Sequence, residues 1–452
     1  MLFSTDSFKS MAQQRKYVLK VVLCLFICLI SSHGHHLHSS SHLQETPQNF
    51  TGHKLYGLFA SDEDELKFLK ELQYSGEVDV WNEPIAVYEK VNVHVPPSLS
   101  KELESKWRSE GIDFYLVSDN LQKWIDEERE ANPVDDEITG RQEDFQLDIY
   151  HTFDSISAYI DTTATRYAKI ASAKSIGTTF EGNPIKGLRI GAPGVNKPAI
   201  WIDSGIHARE WVAPATSLYI ISQLVKGYDT DPEIKDLVDS YDWYIFPVIN
   251  VDGYKYTWTF NRMWRKNRSQ SSRFGPSMFC RGADPNRNFG SAFGGPGTSG
   301  DSCSEIYRGA SAFSEAESSA IRDGLKALGN RVKAYFTLHA YSQLWMTPYG
   351  HSRANPPHYD EQMNALKIAH AAITGTHGEY YKYGPIATTI YPAAGSSVDW
   401  AYEGANVKYS FAIELRDTGR QGFLLSNTQI IPTAEENFNG IKAVAKMIKN
   451  EV

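Results

Sequence analysis

Ala199-Ile-Trp-Ile-Asp-Ser204 runs directly into Gly205-Ile-His-Ala-Arg-Glu210, and this stretch decides how the chain is read. The first six residues have the composition of a buried strand. Strands of the same kind are predicted at 187–191, 243–250, 332–339 and 407–415. Ser314-x-x-Glu317 and Thr433-x-x-Glu436 are capping boxes that open helices. The second leads into the stripe Ile441, Val444, Ala445, Ile448. Alternating strands and helices over 142–452 predict an α/β domain with a mixed, mostly parallel sheet and helices on both faces. Ligands of such sheets bind beyond the carboxyl ends of the strands. His207 and Glu210 lie there, three residues apart and just past a strand.

An HxxE pair is common by chance, and most copies are solvated helix faces. A third ligand is needed, and His339 ends the strand 332–339. Two histidines and one carboxylate with an open position make a composition used by catalytic zinc. Glu414 ends the segment Tyr409-Ser-Phe-Ala-Ile-Glu-Leu415. Period-two alternation puts Ser410, Ala412 and Glu414 on one face and Phe411, Ile413 and Leu415 on the other. A carboxylate on so apolar a strand is either paired, with Arg416 for example, or functional. Two further clusters, the basic 261–268 and Asp284-Pro-Asn-Arg-Asn288, supply arginines able to steady an oxyanion or clamp a carboxylate.

The remainder of the 452 residues sets the context. Residues 43–141 hold 22 Asp/Glu and 10 Lys/Arg, whereas 142–452 hold 31 of each. An acidic segment therefore precedes a neutral body, and no basic surface for nucleic acid is announced. Within the acidic segment, 54–130 read as a ferredoxin-like α+β unit in the order β-α-β-α-β, with Leu66, Leu69 and Leu72 on one helical stripe. A polar connector, 133–141, ends in Arg141, a site for a trypsin-like protease. At the N-terminus, Lys9, Arg15, Lys16 and Lys20 precede the apolar run 21–30. That run suits a signal peptide over 1–34 and is too short for a membrane anchor. Its removal takes Cys24 and Cys28 and leaves Cys280 and Cys303, which most simply pair. The histidine-rich tract 33–42 reads as a linker. Asn49-Phe-Thr51 and Asn267-Arg-Ser269 are glycosylation sequons.

Six blocks carry a resemblance: GIHAREW, NRMWRKNR, DPNRNF, TLHAYSQ, TTIYPAAGSSVDWAY and FAIELRDTGRQGFLL. Their order and separations resemble those of zinc metallocarboxypeptidases of the pancreatic A/B type, zymogen layout included, over about 45–452. The resemblance implies a 43–141 activation prosegment and a 142–452 zinc carboxypeptidase domain. It implies His207, Glu210 and His339 as zinc ligands and Asp284 as the carboxylate that orients His207. It further implies Glu414 as general base and Arg265 as the group that polarises the scissile carbonyl. Asn286, Arg287 and Tyr391 match the residues that hold a substrate's terminal carboxylate. Arg209, Tyr341 and Phe423 match outer substrate positions. Val398 matches the selectivity position, with Ile386, Ile390, Met346 and Ala412 as other pocket walls. An aspartate at 398 would favour Lys or Arg, so valine implies aromatic or large aliphatic C-terminal residues.

The expectation is thus a secreted, monomeric zymogen that acts on peptide or protein C-termini after a trypsin-like protease releases it. The alternatives are a carboxypeptidase for basic residues, disfavoured by Val398, and a peptidase-like binding protein that has lost catalysis. Gly295–Gly300 satisfies GxGxxG but follows no strand and contains Pro296, so it is no dinucleotide site. HExxH is absent.

Overall fold

Period-two alternation accounts for the architecture of the body. In the computed structural model, which describes residues 46–82, 84–133, 145–270 and 280–451, one eight-stranded sheet runs through it. Its strands are β5 (Ala171–Thr178), β6 (Pro184–Ile190), β7 (Ala199–Ser204), β8 (Asp242–Phe246), β9 (Val332–Ala340), β10 (Leu344–Thr347), β11 (Lys382–Pro385) and β12 (Tyr409–Leu415). The order is β11-β10-β12-β9-β7-β8-β6-β5. The central run β12-β9-β7-β8 is parallel, and antiparallel pairings flank it. Ile200, Ile202, Phe411, Ile413 and Leu415 enter one core with the helices Val212–Gly227 and Ile430–Lys449. Ala199, Trp201 and Ala412 face a second core under the helix Ala316–Leu328. The sheet is therefore covered on both faces, as the alternation predicts.

Differences from the sequence expectation have local causes. The strand expected over 243–250 stops at Phe246, because Pro247 follows and Asn250 caps the helix Val251–Thr259 by accepting from Gly253 N at 3.0 Å. Neither capping box forms. The helix Ala316–Leu328 has Glu315 at its N-cap without a side-chain cap, while Glu317 accepts from the Asn267 side chain. Thr433 lies inside the helix Ile430–Lys449, where its hydroxyl donates to Gln429 O at 2.6 Å. Pro432 is tolerated because the first turn lacks intrahelical partners for its N–H groups. Strands β5, β10 and β11 give no clear sequence signal. β5 is an edge strand that is mostly solvated, and the other two have four residues each.

The acidic segment has its own sheet: β1 (Lys54–Phe59), β2 (Asp79–Val80), β3 (Lys90–Val95) and β4 (Asp113–Ser118), in the order β2-β3-β1-β4, all antiparallel. The two-residue β2 makes the order β-α-β-β-α-β. Strand β3 begins at Lys90, after a turn in which Glu89 N donates to Ala86 O and Tyr88 adopts φ +62°. Leu66, Leu69 and Leu72 bury their stripe with Tyr56, Leu58, Val91, Val93 and Trp107. The opposite side of this unit packs on the body. Phe50, Leu55, Trp81, Leu121 and Ile125 join the body's larger core, and Pro47–Val452 pack as one compact unit. The expected signal peptide (1–34), the histidine tract and the expected cleavage site at Arg141 lie outside the described residues. Among the described residues, no helix is long and apolar enough to cross a membrane.

Phe411 is fully buried at the centre of the sheet, whereas Tyr88 is 73% exposed. Phe411→Ala should lower stability by about 3–5 kcal/mol in urea unfolding. Tyr88→Ala should stay within about 0.5 kcal/mol. Equal effects would contradict this placement of the core.

Candidate metal centre and substrate cleft

Three parallel strand ends bring the candidate ligands together. β7 stops at Ser204, and Gly205 turns the chain away at φ +63°, a conformation that glycine adopts without strain. His207 and Glu210 follow, immediately before the helix Val212–Gly227. His339 lies near the end of β9, in register with Glu414 on β12, and Glu414 is in register with Leu344 on β10. His207 Nδ1 is 2.7 Å from Glu210 Oε1. His339 Nδ1 is 3.1 Å from Glu210 Oε2 and 3.2 Å from His207 Nδ1. All three residues are buried, with one ligand atom from each inside a 4.8 Å span. Two imidazole nitrogens and a carboxylate converging at this distance fit one zinc ion with room for a fourth ligand.

A buried carboxylate supports this set. Asp284 Oδ1 lies 3.2 Å from His207 Nε2, and Oδ2 accepts from Arg265 at 2.8 Å. Burial alone would raise the Asp284 pKa. The Arg265 guanidinium, with His207 and Arg287 adding to it, outweighs burial and holds the carboxyl well below its usual range. Asp284 also caps the short turn Pro285–Arg287, accepting from Asn286 N at 2.9 Å. That turn presents Asn286 and Arg287, and Arg287 Nη2 donates to Tyr391 Oη at 3.2 Å. Cys280 and Cys303 form the expected disulfide around the turn, with Cα atoms 5.0 Å apart.

The set opens into a cavity of about 810 Å³. His207, Glu210, His339, Glu414, Arg265, Asn286, Arg287 and Tyr391 line it. Arg209, Tyr341 and Phe423 line it too, as do Met346, Ile386, Ile390, Val398 and Ala412. Every residue assigned to the site from sequence therefore meets in one cleft, with Asp284 directly behind it. Glu414 is half-buried. Burial pushes its pKa up to about 8; His339 opposes that shift and Glu210 adds to it. The charge of a bound metal would act in the lowering direction.

The comparisons with known proteins agree with this geometry. A family model described as zinc carboxypeptidase matches residues 156–440, and one described as carboxypeptidase activation peptide matches 56–128. The chain belongs to the zinc carboxypeptidase family. It is 40% identical to carboxypeptidase A2 of Mus musculus over 405 residues, 89% of this chain and 95% of that one. The crystal structure of thrombin activatable fibrinolysis inhibitor matches with a TM-score of 0.81 and 32% identity, covering 89% of this chain and 100% of that one. Carboxypeptidase A from Helicoverpa armigera matches with a TM-score of 0.81 and 28% identity, covering 89% and 98%. The protein is a metallocarboxypeptidase with an activation peptide.

That activation peptide occupies the outer cleft of this carboxypeptidase. Asp79 Oδ2 accepts from Arg209 at 2.7 Å. The Trp81 ring packs on Phe423 with centroids 5.1 Å apart, and Asn92 donates to Tyr341 Oη at 3.0 Å. Farther out, Glu128 takes a two-pronged contact from Arg262, and both side chains are buried. The segment's carboxylates pair with Arg209 and Arg262 rather than with Arg265 and Arg287, which lie beside Asp284. Sequence reasoning missed Asp79, Trp81, Asn92 and Glu128, whose partners lie more than 100 residues away. Net acidity was the only signal.

Asp284→Asn should keep the fold and weaken zinc binding by about 10–100-fold in competition with a chromophoric chelator. An unchanged affinity would contradict its orienting role.

Proposed function

We propose that the protein is an exported zymogen whose released domain removes aromatic or large aliphatic residues from peptide C-termini. The observation that carries this reading is the composition of the pocket walls. Met346, Ile386, Val398 and Ala412 belong to one buried apolar cluster, with Ile390 and Tyr391 packed against it. A phenylalanine side chain moved from water into such walls gains roughly 2–3 kcal/mol. A lysine there needs a carboxylate partner. Asp399, next to Val398, is already committed: it is fully buried and accepts from Gly350 N at 2.8 Å and His351 N at 2.9 Å.

The residues divide the work in this reading. Asn286, Arg287 and Tyr391 hold the terminal carboxylate, Arg287 by a charge-assisted fork. This fixes the C-terminal side chain in the apolar pocket and brings its peptide bond to the ligand set. Zinc at His207, Glu210 and His339 would supply Lewis acidity and lower the pKa of a water there to about 7. Glu414 takes the proton from the attacking water and passes it to the leaving amine. Arg265, held in place by Asp284, donates to the oxyanion that develops on the substrate carbonyl. Cleavage after Arg141, leaving 142–452 as the enzyme domain, would let the activation segment leave Arg209, Tyr341 and Phe423 free for upstream residues of the peptide. The leader 1–34 would direct the chain to secretion, as a monomer.

Two substitutions test the assignment. Glu414→Gln should retain zinc and fold but lose about 10²–10⁴-fold in kcat; near-normal turnover would rule out its role as base. Val398→Asp should weaken hydrolysis of blocked dipeptides ending in Phe, because the carboxylate is costly in an apolar pocket without a partner. It should improve hydrolysis of those ending in Lys. An unmoved Phe/Lys ratio would remove Val398 from the pocket.

A further inference from the structure

The two sequons meet opposite environments. Asn49 and Thr51 are exposed, and Asn49 Oδ1 accepts from Thr51 N at 2.8 Å in a local turn. The Asn49 side-chain nitrogen makes no hydrogen bond to a described residue. Phe50 between them is buried, and its N donates to Gln122 Oε1 at 2.8 Å, which fixes the turn on the surface of the activation segment. Asn267, by contrast, is 1% exposed. Its side-chain nitrogen donates to Glu315 Oε2 and Glu317 Oε2, both at 2.8 Å. Its oxygen accepts from Ala283 N at 2.8 Å and Ser269 Oγ at 3.1 Å. Backbone crowds it as well. A methyl group added at Gly282 would stand 2.1 Å from the Asn267 carbonyl oxygen.

We infer that the protein carries an N-linked oligosaccharide at Asn49, on the activation segment, and that its folded enzyme domain carries none at Asn267. The inference rests on the export reading above, since the transfer takes place in the secretory pathway. The co-reactant is a lipid-linked oligosaccharide pyrophosphate. The Asn49 side-chain nitrogen bonds to the anomeric carbon of the first sugar and loses one proton. The bond from that carbon to the pyrophosphate oxygen breaks, and nothing is oxidised or reduced. A glycan is bulky and hydrophilic, so it suits the exposed turn. At Asn267 it would displace two carboxylates and two donors from a buried network, and a chain so modified would not reach this fold. One residue before the attachment point, Gln48 N donates to Phe260 O at 2.7 Å. The glycan therefore roots beside the seam between the two parts and departs with the activation segment.

The full chain is expressed in a secretory eukaryotic cell in two forms, one with its own leader and one with a proven leader replacing 1–34. Peptide mapping follows treatment with an amidase that converts glycosylated Asn to Asp. The expected result is conversion at position 49 and none at 267, with Asn49→Gln and Thr51→Ala each abolishing the mass shift. The inference is overturned by an unmodified Asn49 in the chain carried by the proven leader. It is equally overturned by a glycan at Asn267 in secreted chain that becomes active on trypsin treatment. Failure of the native leader alone would count against the export reading, while the second form still decides this one.

Discussion

A single buried carboxylate ties the active region together. Asp284 is fully buried and meets His207, Arg265 and the backbone of Asn286 at once, with Arg287 beside it. Three parts of the site come from distant points in the chain: a candidate metal ligand after β7, the proposed oxyanion donor from the loop after the helix Val251–Thr259, and the turn proposed to hold a terminal carboxylate. Their common partner fixes their relative positions. The arrangement also solves an electrostatic problem. Two arginines crowded in a buried cleft repel one another, and a central anion offsets that repulsion. Both arginines line the cleft as well, so the carboxylate that steadies them also holds their charge beside the candidate metal ligands.

The activation segment repeats this logic from outside. Asp79 supplies a carboxylate to Arg209, which also lies 4.2 Å from the Phe423 ring. Glu128 does the same for Arg262, which stacks 3.8 Å from the Trp211 ring. Burial would raise the Asp79 pKa, but Arg209 and His94 outweigh it and hold it low. These pairs accompany an apolar contact in which Phe50, Leu55, Trp81, Leu121 and Ile125 join the body's core. Apolar burial supplies most of the attraction, and the charges set the register. Buried pairs are screened far less than exposed ones, so salt should loosen this docking only weakly.

Much of this was legible in the sequence, for identifiable reasons. β7, β9 and β12 are apolar and regular, so their ends were readable, and with them His207, Glu210, His339 and Glu414. The alternation around Glu414 assigned the faces of β12 that the two cores display. What escaped had weak or competing signals. β5 is a solvated edge, and β10 and β11 are too short to show a period. Glu317 looked like half of a capping box, but a buried Asn267 side chain outcompeted the helix end for it. The pairs Asp79–Arg209 and Glu128–Arg262 join residues 130 and 134 apart. No local pattern encodes such a contact; only docking of the segment creates it.

A metal-dependent carboxypeptidase site covered by its activation segment makes one direct demand of activity. The direct measurement is hydrolysis of a blocked dipeptide ending in Phe by the zymogen, before and after limited trypsin treatment, with and without a chelator. Low activity should rise after cleavage, vanish with the chelator and return with added zinc. Release of the C-terminal residue at the same rate before cleavage, or undiminished in the presence of chelator, would contradict it.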